Sequence, residues 1–349
     1  MRVAIDGRSL QREPLAGVGR GVACMLPFLA AGAEIELLTA RERPAAGVGL
    51  PEHALATPWP HVSSAWLQWS APRWLRSFDG VFHCPFYGLP FRQPVPMVVT
   101  IHDLTFEHRP EWFSAAQRLA FVTQGRWAAR TARVIVTVAS TVADDIMATY
   151  SVPSDRILVA PNSVEARFRP DRVPDDVLVR LGVSRPYVVA LGGAPRRNLD
   201  VAIAAWRSVR EQRPVSLVIV GTDDVPHEPG VFGGRLDDES WADVLAGAQA
   251  LLYPTAYEGF GMPALEAAAS GTPVICARVG SLPEVLGESA LWVTELSAAA
   301  FATGLGRLLD DAALAADLRE RGLQTAAEHP SWRDAAQVYL AAYERASAG

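Results

Sequence analysis

Short segments of Val, Ile, Leu and Ala, apolar on both faces, alternate with helical stretches along this chain, and the alternation runs twice. In the first series Arg2–Ile5, Glu34–Thr39, Gly80–Cys84, Met97–Ile101, Arg133–Val138 and Ile157–Ala160 read as strands. Gly21–Ala31, Ser114–Ala129 and Thr141–Tyr150 read as helices between them. A strand apolar on both faces has to be covered on both, and a helical crossover makes its neighbours parallel. A stretch rich in Pro, Gly and charge at 167–186 interrupts the pattern and reads as a linker with a short helix. The second series follows: Tyr187–Leu191, Leu199–Val209, Val215–Val220, Ala248–Tyr253, Pro263–Ala269, Pro273–Ala277 and Ala290–Val293, closing in Ala-rich helices from Ser297. The expectation is two doubly wound α/β domains in tandem, residues 1–166 and 187–330, with ligands at the carboxyl ends of the strands. A length of 349 residues, half of them apolar, supplies material for two cores.

Composition removes several chemistries. The chain has no lysine, so a Schiff-base lysine, ordinary pyridoxal phosphate chemistry and a Walker-A lysine are all ruled out. Cys24, Cys84 and Cys276 stand singly, with neither metal-ligand spacing nor a disulfide framework. The net charge of −6 and the lack of a recognition motif argue against nucleic acid as a partner. The longest apolar runs, Val95–Ile101 and Ala246–Tyr253, fall far short of the ~18 residues of a membrane span. The first six residues turn polar at once, with no signal-peptide core, so the chain reads as soluble and cytoplasmic.

The densest chemistry lies in Glu258-Gly259-Phe260-Gly261-Met262-Pro263-Ala264-Leu265-Glu266, between a strand and a helix. Pro263 suits the first helical position and Gly271 the position after the last. Gly259 and Gly261 let the backbone approach a ligand, with N–H groups and the helix start facing an anion. Glu258 lies in the loop, and Glu266 sits one turn into the helix, where it can accept from vicinal hydroxyls. An ordinary strand-to-helix turn with surface glutamates fits the spacing equally well.

The paired glutamates resemble the motif of retaining glycosyltransferases of family 4, which have the GT-B architecture of two facing Rossmann-like domains with a cleft between them. The resemblance extends to Leu191-Gly192-Gly193-Ala194-Pro195-Arg196-Arg197-Asn198, similar to the family's phosphate turn, and to Ile101-His102-Asp103-Leu104, similar to its His-Asp block. Asp6-Gly7-Arg8 with Gly17-Val18-Gly19-Arg20 resembles the first glycine loop, and Pro161-Asn162-Ser163-Val164-Glu165 the strand end before the linker. It implies that Glu266 holds the ribose of a nucleotide sugar, that Glu258 holds the sugar's hydroxyls, and that Arg196 and Arg197 neutralise the diphosphate. Gly259, Phe260, Gly261, Met262 and Asn198 would line the donor. His102 would contact the donor sugar, Gly17 and Gly19 would form a flexible loop toward the diphosphate, and Asp103 and Arg20 would serve the acceptor. Arg197 stands where the family usually has Lys; a guanidinium still grips phosphate at two points. The nucleobase is expected near Gly234, Arg235 and Leu236, although the segment before them, Thr222–Pro229, is shorter than the family's.

The family implies a metal-independent reaction with no cofactor beyond the nucleotide-sugar substrate, and a C-terminal helix, 331–349, that crosses back to the first domain. The opening of the chain and the His-Asp block most resemble bacterial mannosyltransferases, which implies GDP-mannose, with other hexoses and deoxyhexoses left open. The resemblance implies an acceptor hydroxyl on a glycan, a lipid-linked sugar or a small molecule. A sugar-nucleotide epimerase or hydrolase of the same architecture, and a non-catalytic scaffold, are the rival readings. His83 reads as structural, and the acidic pair Asp223-Asp224 as solvated turn residues. Trp59, Trp66, Trp69 and Trp74 with Arg73 and Arg76 read first as core beneath a loop, but leave room for a weak membrane-surface contact at the inner face.

Overall fold

A computed structural model describes residues 1–11, 15, 17–40, 49–57 and 63–348. The chain divides into two compact units, Met1–Ser163 with Pro330–Gly349, and Val164–His329.

The first unit is built on a seven-stranded parallel sheet: β1 (Arg2–Asp6), β2 (Glu34–Thr39), β3 (Glu52–Ala54), β4 (Val81–Cys84), β5 (Met97–Ile101), β6 (Val134–Thr137) and β7 (Ile157–Val159), in the order β3-β2-β1-β4-β5-β6-β7. The registers are parallel throughout, Val3 facing Ile35 on one side and Val81 on the other. Strands β4, β5 and β6 are buried at every residue, because helices cover both faces. The helix Ala115–Thr131 opens with a capping box between Ser114 and Gln117.

The second unit repeats the plan with six parallel strands: β8 (Tyr187–Leu191), β9 (Ser216–Val220), β10 (Val231–Gly234), β11 (Leu251–Tyr253), β12 (Val274–Ala277) and β13 (Ala290–Val293), ordered β10-β9-β8-β11-β12-β13. In both sheets the chain winds outward to one edge, then returns and winds to the other. The reversal falls between β1 and β4 in the first sheet and between β8 and β11 in the second. Loops leaving such neighbours diverge and open a crevice at their carboxyl ends.

Two segments differ from the sequence expectation. Residues 167–186, expected as a linker with a short helix, contain that helix at Asp175–Leu181 but are part of the second unit. Arg172 bonds Asp243 at 2.6 Å and Arg180 bonds Ser240 at 2.7 Å, and the helix Asp175–Leu181 buries Val177 and Leu178. Gly17 and Gly19 are not in a loop but open the helix Gly17–Gly32. A Cβ at Gly19 would stand 2.5 Å from the Ser9 carbonyl oxygen, so that glycine lets the helix lie against the chain leaving β1.

The last helix, Trp332–Ser347, is capped by Ser331 and Asp334 and packs in the first unit. Tyr343 bonds His83 Nδ1 at 2.8 Å, Thr100 lies 2.9 Å from His83 Nε2, and Tyr339 lies 3.1 Å from Thr100. Burial pushes the His83 imidazole down to about 3, with His102 acting the same way, so it is a neutral structural group.

Candidate active site

The crevice of the second sheet is framed by the turn after β8 and the loop after β11. Pro195–Arg197 forms one 3-10 turn, and Asn198 caps the helix Leu199–Arg210 in the left-handed region at φ 44°. That conformation is tolerated by Asn, and it lets the side chain reach across: Asn198 Nδ2 donates to the Pro254 carbonyl at 2.8 Å. The Ala256 N–H donates to the Arg196 carbonyl at 2.8 Å. These two bonds tie the arginine turn to the glutamate loop.

Arg196 Nε then meets Glu258 Oε1 at 3.3 Å, from a side chain 38% exposed to one 8% exposed. Tyr253 donates to the same oxygen at 2.5 Å, and Thr255 Oγ1 lies 3.2 Å from it. Arg197 bonds the Gly192 carbonyl through Nη1, while its buried Nε finds no partner among the described residues. A buried guanidinium N–H without an acceptor is costly, and an anion taken up at this turn would relieve that cost. Gly193 takes φ 83°, where a Cβ would stand 2.4 Å from the Gly221 oxygen, so this turn admits only glycine.

Gly261 caps the helix Met262–Ala269 at φ 94°, and a Cβ there would press on Leu282. Gly259 is fixed through its carbonyl, which accepts from Ser281 Oγ at 2.7 Å. The Ala264 and Leu265 N–H groups close on the Gly261 carbonyl, and the helix start carries the positive end of the helix dipole. Phe260 is 5% exposed with its ring against His329, so it packs the loop from below. Glu266, on that helix, is 2% exposed and accepts from the Trp241 indole N–H at 2.8 Å. On the edge strand β10, the Gly234 carbonyl accepts from Gly221 at 3.1 Å, and Arg235 pairs with Asp223 at 2.8 Å on the surface. Asp223 is thereby a surface ion-pair partner, and no group of three or more metal-ligating side chains occurs among the described residues.

In the first unit His102 follows β5. Its Nε2 lies 2.9 Å from the Pro85 carbonyl, which can only accept, so Nε2 carries the proton and Nδ1 keeps a lone pair. Burial lowers the pKa of this ring, the Pro85 bond and Asp103 acting against it. Asp103 Oδ1 accepts from the Thr105 N–H at 2.9 Å and from Tyr87 at 3.3 Å. Tyr87 sits at φ 31°, a left-handed conformation rare for a bulky side chain and typical of functional turns. Arg20 lies in the first turns of the helix Gly17–Gly32.

Trp66 is 1% exposed and belongs to the core, and Trp74 is partly buried against it, its ring tilted on His53 and Phe78. Trp69 is 63% exposed, and Trp59 lies outside the described residues. Tyr253, Thr255, Trp241 and Tyr87 did not stand out in the sequence. Tyr253 and Thr255 offer one signal, hydroxyls five and three residues before Glu258, while Trp241 and Tyr87 lie 25 and 16 residues from the carboxylates they bond.

Among the described residues, no helix is long and apolar enough to cross a membrane. The fold of two doubly wound parallel sheets is that of the GT-B glycosyltransferases. A family model described as "Glycosyl transferases group 1" matches residues 185–311, and one described as "Glycosyltransferase Family 4" matches residues 16–168. The chain is 31% identical over 284 residues to an MMP alpha-(1->4)-mannosyltransferase of Mycolicibacterium hassiacum, covering 72% of this chain and 66% of that one. It is 30% identical over 290 residues to an alpha-maltose-1-phosphate synthase of Mycolicibacterium smegmatis, covering 73% and 74%. The crystal structure of WaaG, a glycosyltransferase involved in lipopolysaccharide biosynthesis, superposes with a TM-score of 0.75 at 14% identity, covering 97% and 98% of the two chains. The chain belongs to glycosyltransferase family 4 and is an enzyme of the transferase class.

Proposed function

We propose that this enzyme is a retaining, metal-independent hexosyltransferase that moves a sugar from a nucleotide sugar to a hydroxyl of a glycan, lipid-linked or small-molecule acceptor. The observation that carries the reading is the tie between the turn of Arg196, Arg197 and Asn198 and the Glu258 loop, through Arg196 and Asn198, at the topological reversal of the second sheet. Arg196, Arg197 and the start of the helix Met262–Ala269 meet the diphosphate, whose charge grows as the glycosidic C–O bond breaks. The acceptor oxygen forms its bond to the same face of the anomeric carbon, and its proton passes to the departing phosphate. Glu258 accepts from hydroxyls of the sugar, Glu266 from the ribose, and the base lies by Gly234, Arg235 and Leu236. His102 presents Nδ1 as an acceptor to the donor sugar, while Asp103 and Arg20 serve the incoming acceptor.

Mannose from GDP-mannose is the first donor to test, given the mannosyltransferase among the relatives. The maltose 1-phosphate synthase keeps glucosyl donors in the same panel. A thermal-shift screen of GDP-, UDP- and dTDP-sugars is the test: a ligand at 100 times its dissociation constant adds ~2.7 kcal/mol. A screen in which no nucleotide sugar raises the midpoint refutes the reading. A weak contact of the first unit with a membrane surface is also proposed. Exposed Trp69 and Phe91 support it, brought close by Gln68, which accepts from the Phe91 N–H at 2.8 Å. Failure to sediment with anionic vesicles would remove it.

A further inference from the structure

Tyr253 ends β11 with its side chain 1% exposed, and its hydroxyl donates to Glu258 Oε1 at 2.5 Å. Two other donors address that same oxygen, Arg196 Nε at 3.3 Å and Thr255 Oγ1 at 3.2 Å. Thr255 has a single proton and a second acceptor, the Tyr257 carbonyl, at 3.1 Å. Among the described residues no group bonds Oε2, so one oxygen of the carboxylate is held and the other is left for a ligand.

The three donors differ in what a diphosphate would do to them. A guanidinium recruited to phosphate gives up or shares its bond to Glu258, because its N–H vectors are fixed in one plane. Thr255 can turn its proton to Tyr257. Among the described residues Tyr253 bonds no other acceptor, and it is anchored in the strand rather than in a loop. Its phenol also stays protonated: burial, and next the charge of Glu258, hold its pKa well above the ordinary value, with Arg197 and Arg196 acting the other way.

We propose that Tyr253 is a positioning residue, fixing Glu258 through Oε1 so that Oε2 stays aimed at the donor sugar after Arg196 has turned to the diphosphate. The inference rests on the reading that Glu258 takes the sugar's hydroxyls. It explains why the strand ends in tyrosine. Phenylalanine would fill the same space but leave the glutamate held only by an arginine that a diphosphate redirects and a threonine with a second acceptor.

The test is the ratio of two affinities, measured by calorimetry on the full chain: GDP-mannose against GDP, and UDP-glucose against UDP. The pair that binds the wild-type enzyme is used. Tyr253→Phe is expected to weaken the nucleotide sugar about tenfold, the loss of one hydrogen bond to a charged group, while the bare diphosphate stays within about twofold. A tyrosine that serves only packing would move both ligands together or neither, and that result overturns the proposal. Glu258→Gln is run beside it. If Glu258→Gln leaves the ratio at its wild-type value, the assignment of Glu258 to the sugar fails. If Glu258→Gln moves the ratio and Tyr253→Phe does not, only the role of Tyr253 fails. Should Tyr253→Phe not be recovered folded, 3,5-difluorotyrosine at 253 keeps the shape and changes the acidity of the donor. An unchanged ratio there also overturns the proposal.

Discussion

Replacing Arg196 by alanine separates a stability effect from a catalytic one, and their sizes differ. In the folded protein the guanidinium is 38% exposed and meets Glu258 at 3.3 Å, with Tyr253 and Thr255 on the same oxygen. A pair so screened, with two donors left behind, contributes at most about 1 kcal/mol. For a unit of this size that is a fall of about 2–4 °C in the unfolding midpoint. The backbone bond from Ala256 to the Arg196 carbonyl does not depend on the side chain and survives. Turnover should suffer more, because the arginine faces charge that appears fully only as the diphosphate leaves. Loss of one such donor costs on the order of 10²-fold in kcat, or about 2.7 kcal/mol. The assay is release of nucleoside diphosphate under saturating donor, with the midpoint measured on the same sample. A kcat within threefold of wild type, at an intact midpoint, refutes the phosphate assignment. A collapse of the midpoint by more than about 10 °C shows instead that the pair is structural.

Glu266→Gln keeps an oxygen for the Trp241 indole and removes the charge; calorimetry should show weaker binding of the bare nucleoside diphosphate, because ribose contacts are made alike before and during reaction. Activity should survive EDTA, with arginines supplying the positive charge at the diphosphate; complete loss, restored by Mg²⁺ or Mn²⁺, would falsify metal independence. His83 titrates near 3 when folded and near ~6.5 when unfolded, so its contribution is fully present above pH ~6.5 and is lost as pH falls toward 3, by up to ~1.4 kcal/mol per unit. The midpoint-against-pH curve of His83→Gln should be flatter over that window, and a parallel curve counts against the buried neutral ring. Truncation after Pro330 removes Tyr339, Ala342, Tyr343 and Ala346, each no more than 2% exposed, and should yield insoluble protein; a soluble, fully active product would show the helix to be dispensable.

How far the fold could be read from sequence depended on where each segment finds its partners. Strands β4, β5, β6 and β8 are buried throughout, and burial on two faces writes itself as an unbroken apolar run. The edge strand β3 is Glu-His-Ala, half solvated, and held by a single neighbour, so nothing in its composition marks it. The start of the first helix, at Gly17, is illegible for a related reason. Glycine disfavours helix locally, and only the approach to Ser9, available once the chain is folded, makes Gly19 a suitable helical residue. The stretch 167–186 reads as a linker because some of its arginines find partners only in the folded chain: Arg167 meets Glu239 and Arg172 meets Asp243, 72 and 71 residues on, and Arg180 meets Ser240, 60 residues on, all in the helix Asp238–Ala246, while Arg169 and Arg185 pair within the stretch.

The candidate site divides along the same line. Residues whose chemistry meets a ligand directly are recognisable by type and order, because a diphosphate asks for arginine and backbone N–H, and hydroxyls ask for carboxylate. Residues that hold those groups in place are not, since their requirement is a distance fixed by the sheet. Arg196 and Glu258 are 62 positions apart, yet adjacent because β8 and β11 pair side by side. Tyr253 and Trp241 each supply one donor to a glutamate, and either could have been any apolar residue as far as the local pattern goes. The glutamates are nearly out of solvent, where a carboxylate without donors is costly, so a motif of this kind implies that donors exist without saying which side chains they are. Those donors are therefore where substitutions can alter how this enzyme holds its sugar while leaving the motif intact.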